Sequence, residues 1–141
     1  MRFMMLMIPR GYEQAADSQD LDPERVEQMM QFNQALQEAG VLLDLNGLHP
    51  PAMGARVRFD SGQAVVSRGP FAEATEVLGG YWMIQVGSLE EAIAWASRCP
   101  ASPEETIEIR QVQEMEDFTP EVQAAAGGYE QMLDSAQSAP R

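Results

Sequence analysis

Residues Phe3 to Ile8 are apolar at every position, whereas Ala55, Val57 and Phe59 alternate with Arg56 and Arg58. The two patterns predict two kinds of strand. A run that is apolar on both sides of the pleat belongs in the middle of a sheet with both faces covered. Alternation belongs to a strand that keeps one face in water. Between them, Val26, Met29, Met30, Phe32, Leu36 and Ala39 recur at helical spacing. Asp22-Pro23 supplies an N-cap and a first-turn proline for that helix, and Gly40 supplies its end. Residues 9 to 21 are polar and read as a loop. Val41 to Leu45 is a second strand-like run, broken by Asn46-Gly47 and then Pro50-Pro51.

Asp60-Ser-Gly62 predicts a tight turn, with Gln63 to Ser67 returning as the hairpin partner of the alternating strand. Tyr81 to Val86 is a further strand. Ser88-Leu-Glu-Glu91 is a capping box that starts a second helix, with Leu89, Ala92, Ile93 and Ala96 expected on its buried face. Cys99-Pro100 and Pro103 stop it. Thr106 to Val112 is the last strand, with Ile107 and Ile109 on one face. This order predicts an α+β domain of ferredoxin-like βαββαβ type, an antiparallel sheet with both helices on one face. The other face of the first strand then needs a cover, and a second copy of the sheet packed across a two-fold axis would supply it. The expectation is a homodimer. Residues 1–113 form the expected domain. Residues 114–141 are an acidic extension, with Thr119-Pro120-Glu121 capping a short helix, Gly127-Gly128 interrupting it, and a frayed end.

Composition narrows the partners. The 141 residues suit one domain, and 9 basic against 22 acidic residues give a net charge of -13 and a pI near 4.3. Nucleic-acid phosphates and anionic membrane surfaces would repel such a chain. A basic protein partner, or a small anionic ligand held by local arginines, stays open. One cysteine excludes an intrachain disulfide and a multi-thiolate zinc site, and one histidine excludes metal sites of the two-histidine type. No metal or cofactor is expected. The opening apolar run is short, no small-residue cleavage site follows it, and no stretch approaches bilayer length. The expected location is cytoplasmic.

The candidate chemistry gathers around Arg68-Gly-Pro-Phe-Ala-Glu73. Glycine would permit a left-handed backbone there and proline fixes the next φ, so the segment reads first as a turn with Phe71 dropping into the core. Gly79-Gly80 reads first as a bulge and second as a close backbone approach by a ligand. Glu73 and Glu76 share a face only if the segment is helical, and a carboxylate pair in a cleft can do acid–base work. In so acidic a chain a solvated face is the commoner role. His49, within Gly47-Leu-His-Pro-Pro51, could act as a base near neutral pH, although a surface histidine is its plainer reading. Arg56, Arg58, Arg68 and Arg110 lie on strands or at the turn, where some could converge on an anion. Cys99 reads as an apolar filler.

The ordered set Gly69-Pro70-Phe71-Ala72-Glu73, Glu76 and Leu78-Gly79-Gly80-Tyr81 resembles the DGPF branch of the YCII-related family. Gly40-Val41, Gly47-Leu48 before Pro50-Pro51, Ser88-Leu89 before Glu91-Ala92, and Ile107-Glu108-Ile109-Arg110 agree with that frame. The resemblance implies a ferredoxin-like subunit of a dimeric α+β barrel, with a cleft near Gly-Pro-Phe. Some relatives look like lactone isomerases, and others accompany sigma factors. Two departures stand out: Arg68 replaces the motif's aspartate, and the first helix lacks the histidine of wider members, although Glu38 is present near its end. Two functions follow. One is a small-molecule-binding dimer in which Arg68 and His49 contact an anion, Glu73 carries a proton, and Gly69, Pro70, Phe71 and Arg110 complete the site. The alternative is a non-enzymatic regulatory or protein-interaction module linked to transcription through a sigma factor.

Overall fold

The computed structural model describes residues 1–15 and 21–140, so part of the loop expected over 9–21, and Arg141, lie outside the described residues. In chain order the elements are β1 (Arg2–Ile8), α1 (Pro23–Glu38), β2 (Leu42–Gly47), β3 (Ala55–Asp60), β4 (Gln63–Arg68), β5 (Gly80–Gln85), α2 (Leu89–Ala96), β6 (Thr106–Gln111), α3 (Pro120–Ala125) and α4 (Tyr129–Ser138). Four strands make one antiparallel sheet in the order β2-β5-β1-β6, and β3 pairs only with β4. With the hairpin set aside, the sheet has the ferredoxin-like order predicted from the sequence. The all-apolar run takes a central place in it.

Phe3, Met5 and Met7 of β1, Trp82 and Ile84 of β5, Val86 just beyond it, Phe32 and Leu36 of α1, and Ala92 of α2 form one buried cluster. Register explains the grouping, because Met5 pairs with Trp82 and Ile109, and Phe3 with Ile84, so these side chains share the helix-covered face. The Phe32 and Trp82 rings meet edge to face at 5.6 Å. On the other face Met4, Leu6 and Ile8, with Tyr81 and Met83 of β5, are only half-buried. The described residues cover one face of the sheet and leave the other open, apolar along β1 and β5 and flanked by Glu108 and Arg110 of β6.

The helix ends follow the sequence signals. Asp22 accepts a hydrogen bond from the Glu24 N–H at 3.0 Å. Gly40 takes the left-handed conformation (φ +72°), and the Gly40 and Val41 N–H groups reach back to the Gln37 and Leu36 carbonyls, which satisfies the carbonyls that α1 would leave orphaned. Ser88 accepts from the Glu91 N–H, while the Glu91 carboxylate accepts from Gly87 N–H, one residue before the expected return bond. Helix α2, however, lies in a different rotation from the predicted one. Leu89 and Ile93 are exposed, and the side chains against the core are Ala92, Trp95, Ala96 and Cys99. The 92, 95, 96, 99 stripe buries a tryptophan that the predicted stripe would have left in water. Burial pushes the Cys99 thiol up to about 11, with Glu105 adding to the rise, which suits a filler rather than a nucleophile.

The hairpin is a second departure. Ser61 and Gly62 both have positive φ (50° and 78°), the conformation of a two-residue turn that matches strand twist. Yet every residue of β3 is exposed and only Val65 of β4 is half-buried, where a half-exposed strand was expected. The cause is topological: the hairpin is an arm that leaves the main sheet, so none of the described residues lies over its apolar side.

Candidate functional site

The base of the arm is strapped to the end of β1. Gly79 N–H donates to the Met7 carbonyl at 2.8 Å, Leu48 N–H donates to the Gly79 carbonyl at 2.9 Å, and Gly69 N–H donates to the Gly54 carbonyl at 2.9 Å. The segments 48–54 and 69–79 therefore run beside each other, and a cleft of about 470 Å³ opens between them. Ile8, Leu48, Pro50, Met53, Phe71 and Leu78 give it apolar walls, and His49, Arg56 and Glu76 are its ionisable side chains. The Arg56 guanidinium lies 4.1 Å from the centre of the Phe71 ring, which fixes the arm base over the Gly-Pro-Phe segment. His49 and Glu76 make no side-chain hydrogen bond or ion pair among the described residues.

The glycines act differently from the expectation. Gly69 is not among the residues with positive φ. A Cβ on it would lie 1.7 Å from the Pro51 carbonyl oxygen, so glycine is required by close approach of two backbones. The peptide bond to Pro70 is cis. Gly79 and Gly80 are likewise close-packed, against the Pro9 ring and the Asn46 carbonyl, and the strand irregularity falls between Leu42 and Asp44 of β2 instead. The close approach at Gly79-Gly80 is by the Pro9 ring and the Asn46 backbone, on the sides where a Cβ would stand.

Of the residues predicted for the site, His49 and Phe71 line the cleft. Phe71 is half-buried there and does not join the core cluster where the sequence placed it. Gly69 shapes the wall from behind, and Pro70 is exposed. Glu73 is exposed and outside the lining; residues 71–79 are not helical, so Glu73 and Glu76 share no helical face. Arg68 pairs with Ala55 and Arg56 with Ser67, which puts the two arginines on opposite faces of the arm, with Arg56 toward the cleft. Arg110 sits on β6, at the sheet edge opposite β2, within 3.4 Å of Glu108. Arg56 and Glu76, and not Arg68 and Glu73, thus line the cleft. The register was readable: a two-residue turn at Ser61-Gly62 pairs Asp60 with Gln63, and counting back from it pairs Arg56 with Ser67.

A second hollow, of about 340 Å³, opens on the helix side of the same sheet end. Its polar groups are largely spent on one another: Trp82 Nε1 donates to Asn33 Oδ1 at 2.7 Å, and the Tyr81 hydroxyl accepts from Asn46 and donates to Asp44. The Tyr12 hydroxyl donates to the Leu48 carbonyl, and burial raises its pKa. These bonds hold the sheet end together. Among the described residues no group of three His, Cys, Asp or Glu side chains could hold a metal ion, and no helix is long and apolar enough to cross a membrane.

A stretch of 59 residues is 41% identical to an uncharacterised protein of Rhizobium meliloti (strain 1021), spanning 42% of this chain and 48% of that protein, so the match covers about half of that relative's length. A family model described as the YCII-related domain matches residues 1–116, which takes in the whole sheet, both core helices, the arm and the cleft. The chain belongs to the YCII-related family.

Proposed function

We propose that this chain binds a small anionic molecule with an apolar body in the cleft between residues 48–56 and 71–78, and moves a proton on it, as one half of a homodimer. The observation that carries this reading is the cleft's composition: one arginine, one histidine and one carboxylate on otherwise apolar walls. In a chain of net charge -13, an anion needs a local cation, and Arg56 offers forked donors suited to a carboxylate. Leu48, Met53, Phe71 and Leu78 would take the apolar part. His49 and Glu76 are then the acid–base candidates. In a lactone-type isomerisation one of them takes a proton from the carbon beside the carbonyl and the other returns a proton at the γ carbon, two positions along, as the double bond moves from the β,γ to the α,β position, with no net change in oxidation state. The homodimer is supported by the open sheet face, where Met4, Leu6, Ile8 and Met83 are half-buried and no described helix covers them.

The test is NMR titration with unsaturated lactone acids and simple carboxylates, following His49 and the arm-base amides. Arg56→Gln is expected to weaken binding at least tenfold. His49→Gln and Glu76→Gln should keep binding and lose exchange of the ligand's α-hydrogen with deuterated water. If no member of the panel moves these signals, the ligand reading fails. The exposed arm favours a second reading, a regulatory or protein-interaction module linked to a sigma factor, which would then lead.

A further inference from the structure

The arm and the C-terminal tail are complementary in chemistry and stand at opposite ends of the molecule. On one face of the arm, Val57 pairs with Val66 and Phe59 with Ala64, and Arg68 closes the row beside Ala55. Phe59 is 78% exposed, Val66 60% and Val57 54%. A contiguous apolar row of that kind marks a surface made to be covered. The arm also carries Arg56 and Arg58 on its other face and Arg68 on this one, against one aspartate, Asp60, so it is a basic element on a strongly acidic chain.

The tail has the reverse character. Residues 114–140 hold six carboxylates and no lysine or arginine. Between the tail helices and the end of β6 lies a groove of about 430 Å³, with Phe118, Val122, Tyr129 and Leu133 on its walls and Glu130 among its polar groups. Arg2 and Val112, which also line it, belong to the open face of the sheet by register, and so does Ile8 beside the arm base. Tail and arm therefore flank the open face at the two ends of β1, about 20 Å apart for a strand of seven residues. The arm extends from the far end, so it does not sit in the groove of its own chain.

We propose that the arm of one copy docks its Phe59 tip in the tail groove of a second copy, with two arms and two tails closing reciprocally across the dimer axis. This rests on the homodimer read from the open face and adds its orientation. Where two sheets pack face to face in the aligned mode across a two-fold axis, their strands run parallel, which brings arm to arm, or head to tail, which brings arm to tail. Arm against arm brings together two elements that each carry three arginines and one aspartate. Arm against tail sets basic against acidic and apolar tip against apolar groove, the arrangement that favours one register over the other.

Crosslinking tests it directly. In a Cys99→Ser background, Phe59→Cys and Val122→Cys chains are prepared separately, mixed and oxidised. The 59–122 intermolecular disulfide is expected to form ahead of the 59–59 and 122–122 products. In parallel, Phe59→Ser, a change at an exposed position that leaves the core and the cleft untouched, should raise the dimer dissociation constant at least tenfold, and Arg58→Glu should remove much of its salt dependence. A wild-type dimer whose dissociation constant is unchanged in Phe59→Ser overturns the arm–tail contact and leaves the homodimer standing, as does preferential 59–59 crosslinking. A wild-type chain that stays monomeric overturns both. An arm that crosslinks only to a foreign acidic protein overturns the arm–tail contact in favour of the interaction-module reading.

Discussion

The chain contains two antiparallel sheets with contrasting fates. In the four-stranded body, Phe3, Met5 and Met7 alternate with Met4, Leu6 and Ile8, and the first set lies in the core. In the arm, Ala55, Val57 and Phe59 alternate with Arg56, Arg58 and Asp60, and neither set is covered. Alternation therefore fixes which residues share a face and says nothing about what lies against that face. Two strands alone are marginal in water, and a sheet becomes independently stable when helices or further strands cover it. The arm persists because its base is strapped at Gly54 and Gly69 and its turn is preset at Ser61-Gly62.

The contrast is sharpest in truncation. Ile84→Ala, at a position fully buried between β1 and β2, is expected to cost about 2–5 kcal/mol, because methyl groups are lost and the surrounding core closes only in part. Val65→Ala removes the best-covered side chain of the arm and should cost about 1 kcal/mol or less, since little apolar area returns to water. Urea unfolding of both variants gives the comparison. Equal losses would mean that the arm is packed as tightly as the body, and the distinction would collapse.

The joint between the two units gives the next test. Gly69→Ala drives a Cβ into the Pro51 carbonyl, so the backbones must part, at roughly 1–3 kcal/mol. The same change at Gly62 meets open space, and only the left-handed backbone resists it, at about 1–2 kcal/mol. The two variants differ most in the cleft: Gly69→Ala should weaken any ligand held there, because Pro51 and Arg56 flank the displaced strand, whereas Gly62→Ala should leave it unaffected. Ligand titration beside the unfolding curve separates strain at the joint from strain at the tip.

Much of the body was legible before any coordinates. The all-apolar run, Asp22-Pro23, Gly40 and the capping box at Ser88 act within a few residues of themselves, and each took its predicted place. The misreadings involve distant partners. Gly69 is a glycine because of Pro51, eighteen residues earlier, and no local pattern announces that approach. Leu89 and Ile93 form as good a helical stripe as Ala92, Trp95, Ala96 and Cys99, and the choice is made by the sheet beneath α2. At the cleft, His49 and Phe71 stand in the walls, whereas Arg68 and Glu73 lie outside them and Arg56 and Glu76 line them, because nearness in sequence is not nearness in space. Strand register decides between the arginines. Only the irregular path of residues 71–79 decides between the carboxylates.

The tail is a third kind of attachment, held partly by charge, and its response to pH is the smallest effect expected. Arg2 Nε and Nη2 donate to the two Glu114 carboxylate oxygens at 2.8 and 3.1 Å. The hydrogen bond from Arg2 is the main reason the Glu114 carboxyl lies below the usual carboxylate range, with the charges of Arg2 and the N-terminus adding to it and partial burial opposing it. A carboxyl depressed in the folded state binds fewer protons there than in the unfolded chain. Its contribution is therefore complete above the ordinary carboxylate pKa and is lost as pH falls through the depressed folded value. The raised pKa of Arg2 has the opposite sign and acts only at strongly alkaline pH, outside the working range. Both side chains are about one-third exposed, so solvent screening keeps the pair to about 0.2–1 kcal/mol. Chemical shifts of Tyr129 and Leu133, which line the same groove, should report the tail loosening as the solution is acidified below pH 4. Glu114→Gln should flatten that titration and leave the tail equally loose at neutral pH. If the variant follows the wild-type profile instead, the apolar wall of Phe118, Val122 and Leu133 holds the tail, and the ion pair only decorates it.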